Sequence, residues 1–153
     1  MHPQPPTELA RAIVAQVAPT ELPLFTAISK AYAENPDRAR TRGGRDEPLG
    51  FGLADGVSLL TPVILAATDA IVRYLAEDVG KALTHAAIEL ATKWIWALFH
   101  REPDAQPLSQ AQIAQIRAIV AEIAQERKVA EPTARQLADA TVVQLAGAPT
   151  GAS

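Results

Sequence analysis

Few residues in this chain have the means to do chemistry, and their spacing does not bring them together. The histidines are His2, His85 and His100, too scattered to ligate one metal through a local motif. None of the four serines stands in the G-x-S-x-G setting that raises a nucleophile on a strand-to-helix turn. The absence of cysteine excludes disulfides, thiolate chemistry and cysteine-ligated metals. Gly50, Gly52 and Gly56 spell G-x-G-x-x-x-G, one residue off the dinucleotide fingerprint. No strand pattern precedes them and no Gly-Lys-Ser/Thr follows, so they read as flexibility ahead of a helix. No catalytic residue, cofactor site or metal site is expected, and the chain is read as a non-enzyme.

Charge, by contrast, is regularly spaced. Asp69, Arg73, Glu77, Lys81, His85, Glu89 and Lys93 recur at every fourth position. Residues four apart share one side of an α-helix, so this ladder predicts helix with one hydrated face. The pairs Asp69/Arg73, Glu77/Lys81 and Glu89/Lys93 all set the acid N-terminal to the base. That is the favourable order on a helix, each pair contributing about 0.2–0.5 kcal/mol. Between the rungs stand Ile71, Val72, Leu75, Val79, Leu83, Ile88, Leu90, Ile95, Leu98 and Phe99, which the pattern expects to be buried. A strict four-residue repeat drifts by roughly 40° per step against a 3.6-residue turn. Six steps would carry the ladder about two-thirds of the way round a straight helix. The spacing therefore favours two helices joined near Asp78–Lys81, or one long helix bent there.

Two groups flank this central amphipathic region, residues 58–99. On a helical wheel Ile95, Leu98 and Phe99 oppose Lys93, while Trp94 and Trp96 fall on the two borders between wet and dry. Indole rings suit such borders at a membrane interface, and equally at the rim of a packed core. Ahead of the region lie Arg38, Arg40, Arg42 and Arg45, diluted by Asp37, Asp46 and Glu47. Arginines there would meet anionic lipid headgroups at about 1 kcal/mol each near a charged surface, or form a solvated loop. Arg38, Arg40, Arg42, Arg45, Trp94, Trp96 and Phe99 are thus the candidate membrane or partner contacts.

The elements that position these groups are all helical. Pro3, Pro5 and Pro6 are expected to keep the start extended, with Thr7 capping a helix whose apolar face is Leu9, Ile13, Val14 and Val17. Pro19 ends it. Thr20 offers a second cap, Pro23 fits a first turn, and Leu24, Phe25, Ile28 and Tyr32 form the next apolar stripe. Residues 37–56 read as loop, and a third helical region starts near Asp55 or Ser58, with Pro62 in its first turn or kinking it. After a linker bearing Pro103 and Pro107, Ser109 and Gln112 form a capping-box pattern before Ile113, Ile116, Val120 and Ile123. A connector near Lys128–Glu131 leads to a last helix starting about Pro132, burying Leu137, Ala138, Val142 and Leu145, with Gly147 as its C-terminal cap. The fold class is all-α: a bundle of about four or five helices with a C-terminal helical hairpin. Residues 1–103 form the bundle, 108–147 the hairpin and 148–153 a frayed tail.

Composition narrows function by exclusion. An apolar fraction of 48% over 153 residues suits one folded domain. A net charge of −3 argues against a dedicated nucleic-acid binder, and the last helix offers only Arg135 as a basic contact. Met1–Pro6 has neither the basic start nor the apolar core of a signal peptide. The longest uncharged run of the apolar region, Gly56 to Thr68, has 13 residues and contains Pro62, whereas a membrane span needs roughly 20. A cytoplasmic protein, peripheral at the inner face of the membrane, is the expectation.

Three short stretches carry a family resemblance. Glu21-Leu22-Pro23-Leu24-Phe25, Asp46-Glu47-Pro48-Leu49-Gly50-Phe51-Gly52 and Leu59-Leu60-Thr61-Pro62-Val63 resemble small helical proteins of actinobacteria, the Bell domains, bacterial counterparts of fungal HeLo domains. The resemblance spans about the first two-thirds of the chain. It implies an α-helical effector that attacks membranes in cell-death or antiphage signalling, often coupled to a receptor through an amyloid-like motif. This chain departs from that pattern, because its C-terminus reads as a helical hairpin without an Asn/Gln/Gly-rich strand motif. The leading expectation is a non-enzymatic effector whose 58–99 region engages an anionic membrane surface once exposed. The alternative is a protein–protein module that binds a partner or itself and has no membrane role.

Overall fold

The computed structural model describes residues 5–34, 60–81 and 83–146. The described residues form six α-helices and one 3-10 turn: α1 (Pro5–Val17), the 3-10 turn Pro19–Glu21, α2 (Leu22–Glu34), α3 (Thr61–Gly80), α4 (His85–Phe99), α5 (Gln110–Glu126) and α6 (Glu131–Ala146). No strand occurs among the described residues. This is an all-α bundle whose last two helices are an antiparallel hairpin.

The helix ends follow local chemistry. Pro5 and Pro6 are not extended but open α1, two residues ahead of Thr7. Proline fixes φ near the helical value, and the N–H it lacks has no acceptor in a first turn. Pro23 and Pro62 occupy first turns for the same reason. Ser109 and Gln112 close both halves of the capping box at α5: Ser109 Oγ accepts the Gln112 N–H at 3.0 Å, and Gln112 Oε1 accepts the Ser109 N–H at 2.9 Å. The expected starts at Asp55 or Ser58, and the cap at Gly147, lie outside the described residues.

α3 is the spine, touching α1, α2, α4 and α5. Its first half buries almost every residue from Thr61 to Thr68, and Ile71, Val72, Leu75 and Ala76 continue inward. Around it Leu9, Ile13 and Val14 of α1, Phe25 and Ile28 of α2, Ile95 and Leu98 of α4, Ile116 and Val120 of α5, and Leu137 and Leu145 of α6 form one continuous core. The C-terminal hairpin is part of that core, since α6 also packs on α1 and α4.

Two side chains tie distant elements together. Glu21 is only 8% exposed, and its carboxylate accepts the N–H groups of Leu60 and Thr61, each at 2.8 Å, and the Thr61 hydroxyl at 2.6 Å. A negative charge at a helix N-terminus meets both the free N–H donors and the positive end of the helix dipole. At the opposite polarity, the Arg101 guanidinium donates to the carbonyls of Leu98, Gln144 and Val143, bridging the C-terminal ends of α4 and α6. Local motifs signal neither clip, because Glu21 and its donors, like Arg101 and its acceptors on α6, are about forty residues apart.

Candidate functional site

The charge ladder is a solvent-facing feature carried by two helices. Arg73, Glu77, Lys81, His85, Glu89 and Lys93 are exposed and Asp69 is half-buried. The break falls inside the interval favoured by the drift argument. α3 stops at Gly80, Lys81 turns left-handed (φ 63°) with its N–H on the Glu77 carbonyl at 2.8 Å, and Thr84 caps α4 through Ala87 at 3.0 Å. Of the three predicted pairs only Asp69–Arg73 closes, at 3.1 Å. Lys81 has left the helical path, and Glu89 and Lys93 have no ion-pair partner among the described residues.

Gly80, at the break, does not make the turn. The left-handed residue is Lys81, and Gly80 remains helical. A Cβ added to Gly80 would stand 2.6 Å from Ala87 Cβ. Gly80 therefore permits the close approach of α3 and α4.

The aromatic residues separate. Trp94 is half-buried and its indole N–H donates to the Gln106 carbonyl at 2.7 Å, which holds the α4–α5 linker against the helix. Trp96 and Phe99 lie at the C-terminal end of α4, with ring centroids 4.0 and 5.0 Å from the His100 ring. Both are half-buried. Arg38, Arg40, Arg42 and Arg45 lie outside the described residues, so the structure joins them to none of the three aromatics.

Not every residue between the rungs is buried. Val79 is 52% exposed, Leu83 47% and Leu90 58%. The reason is geometric: α3 and α4 meet through Gly80 and Ala87, and no further described element covers the side chains beside that contact point. Val79 and Leu90, with Ala91 and Trp94, form one wall of a groove of about 460 Å³. Gln106, Pro107, Ser109 and Gln112 of the linker and α5 form the other. Leu83 belongs to the turn joining the two helices. The groove thus sets an apolar wall against a polar rim. One wheel signal was available for Leu90: it lies about 60° from Lys93, on the border of the hydrated side.

The Ser109 hydroxyl, the Gln112 amide and the Gln106 backbone carbonyl already have partners. Ser109 and Gln112 bond each other, Gln112 Nε2 donates to Asp78 at 2.9 Å, and Gln106 accepts Trp94. A second, shallower groove between α3 and α5 carries Arg73, Tyr74, Glu77, Glu122 and Glu126. There the Tyr74 phenol is held above its usual value, first by burial and then by the nearby negative charge of Asp78. Among the described residues no group of three His, Asp or Glu side chains is placed to hold a metal ion, and no helix is long and apolar enough to cross a membrane. No protein-family model matches the sequence, and no match was found among curated proteins or solved structures.

Proposed function

We propose that this chain is a non-enzymatic helical interaction domain whose working surface is the outer side of the α3–α4 hairpin. One observation carries this reading: three large aliphatic side chains stay exposed, two of them in the wall of a single polar-rimmed groove. Leaving such groups in water forfeits about 25 cal/mol for each Å² that burial would remove, and a docked protein surface recovers it. The Ser109 hydroxyl and the Gln112 amide are engaged in capping and interhelix bonds, so they shape the rim rather than supply a nucleophile or base. A photo-crosslinking residue in place of Leu90 should trap one discrete macromolecular species in the producing cell, and Val79→Asp should abolish it. The same probe at exposed Gln136 on α6 should trap none. Equal crosslinking from both positions, or none from Leu90, refutes the reading.

A specific feature of the hairpin favours a second reading, the membrane effector implied by the Bell-like resemblance. Val79 and Leu83 are exposed beside Lys81, an arrangement that suits shallow insertion of the turn among anionic headgroups at the cytoplasmic face of a membrane. In that reading the turn makes first contact, and Trp94, Trp96 and Phe99 follow only when α4 leaves the bundle. Vesicles containing phosphatidylglycerol should then sediment the parent chain. Leu83→Glu should abolish this, and Trp94→Ala/Trp96→Ala should weaken it. Parent protein left in the supernatant refutes the membrane reading.

A further inference from the structure

The outward side of α4 carries a charge pattern with a symmetry of its own. Ala86, Glu89, Leu90 and Lys93 are all exposed, and Glu89 and Lys93 stand one turn apart along one flank of Leu90, the most exposed large aliphatic residue among those described. Neither charge is answered by another described residue of the chain. Burying Leu90 against any other surface would bring these two charges into the contact, where an unanswered charge is unfavourable.

We propose that this face binds a second copy of the same chain, with α4 lying antiparallel to α4 about a two-fold axis level with Ala91. The inference rests on the reading of the hairpin as a protein-docking surface and names the occupant. Symmetry selects the arrangement. In the antiparallel pair Glu89 of one protomer faces Lys93 of its partner, and the axis repeats that ion pair, so both charges on both chains are matched. The two Leu90 side chains meet beside the axis, next to the apolar walls formed by Val79 and Trp94. A parallel pair would set Glu89 against Glu89 and Lys93 against Lys93, which repel. A closed two-fold contact of this kind is the commonest form of homo-oligomer. One helix face buries less than the roughly 1,600 Å² of a standard interface, so the dimer is concentration-dependent rather than permanent.

Sedimentation equilibrium over about 1–500 µM tests the proposal, in a range set by the affinities of small interfaces. The parent's weight-average mass should climb from 16.2 kDa toward twice that value. Glu89→Lys and Lys93→Glu should each weaken association about tenfold, since two attractive pairs become two repulsive ones. Mixed one to one, the two variants should recover the parent's association or exceed it, because every charge again faces its opposite across the axis. Both positions are exposed, so thermal unfolding should match the parent and misfolding cannot imitate the result. A parent that stays at 16.2 kDa throughout, or a mixture no stronger than either variant alone, overturns the inference. A Leu90 crosslink to a species other than this chain, beside a monomeric parent, would keep the docking reading while sinking self-association.

Discussion

Removing the Glu21 carboxylate should loosen the whole bundle, although the residue lies outside every helix stripe. Glu21 accepts three hydrogen bonds at the start of α3, two of them from Thr61, which is completely buried. Pro62 has no N–H, and of the N–H groups at this helix start Glu21 answers those of Leu60 and Thr61. In Glu21→Ala the amide and hydroxyl of Thr61 lose their partner in a place water does not reach. At about 1.5 kcal/mol for each stranded buried group, and with water meeting the half-buried Leu60 N–H, the loss comes to about 3 kcal/mol. That is a large share of the roughly 5–15 kcal/mol typical of a domain, and it should lower the melting temperature by about 10 °C. Glu21→Gln keeps an accepting oxygen but loses the charge, and should cost about 1 kcal/mol. Thr61→Val strips only the hydroxyl, for a similar cost, and the double variant Glu21→Ala/Thr61→Val should fall short of the sum by about 1 kcal/mol. Denaturant titration reads these differences as midpoint shifts at constant slope. Glu21→Ala unfolding within about 0.5 kcal/mol of the parent, the spread of ordinary surface changes, would refute the idea that this clip holds α3 in place.

Two further outcomes concern the turn and the second groove. Gly80→Ala and Lys81→Gly should move stability in opposite directions in thermal unfolding. The added methyl collides with Ala87 and costs about 1–2 kcal/mol despite alanine's better helix propensity, whereas glycine at the left-handed position relieves about 0.5–1 kcal/mol. Tyr74 should ionise above the usual tyrosine value, read in an ultraviolet pH titration as the component that Tyr74→Phe removes. Because the folded state holds this proton more tightly than the unfolded chain, its contribution to stability is complete below about pH 10 and falls away as pH rises through the folded-state value. Asp78→Asn should bring the transition down part of the way, leaving the larger contribution of burial.

Much of the fold was legible in the chain because its signals are local. The four-residue ladder marked the hydrated side of α3 and α4, and its drift put a break or a bend within Asp78–Lys81, which the structure makes a break. The Ser109/Gln112 box and the stripe through Ile116 and Val120 placed α5 and its inward side. Periodicity and capping depend on neighbours within one turn, so sequence carries them in full. The start of α1 was misplaced because three prolines among six residues suggest extended chain, while only the first turn of a helix decides whether they are tolerated.

What sequence alone determined, then, is that the chain is helical, which side of each helix is wet, and that no familiar catalytic constellation is spelled out. The tertiary structure decided the rest: which apolar residues stay in water, which helix ends are answered from forty residues away, and where a groove opens. Val79 and Leu90 look as apolar as Leu75 in a row of letters. They differ because, beside the contact through Gly80 and Ala87, no described helix covers them, and coverage belongs to the arrangement of elements rather than to any one of them. Glu21 and Arg101 show the same limit, since a charge finds a helix terminus only after the chain has folded back to present it.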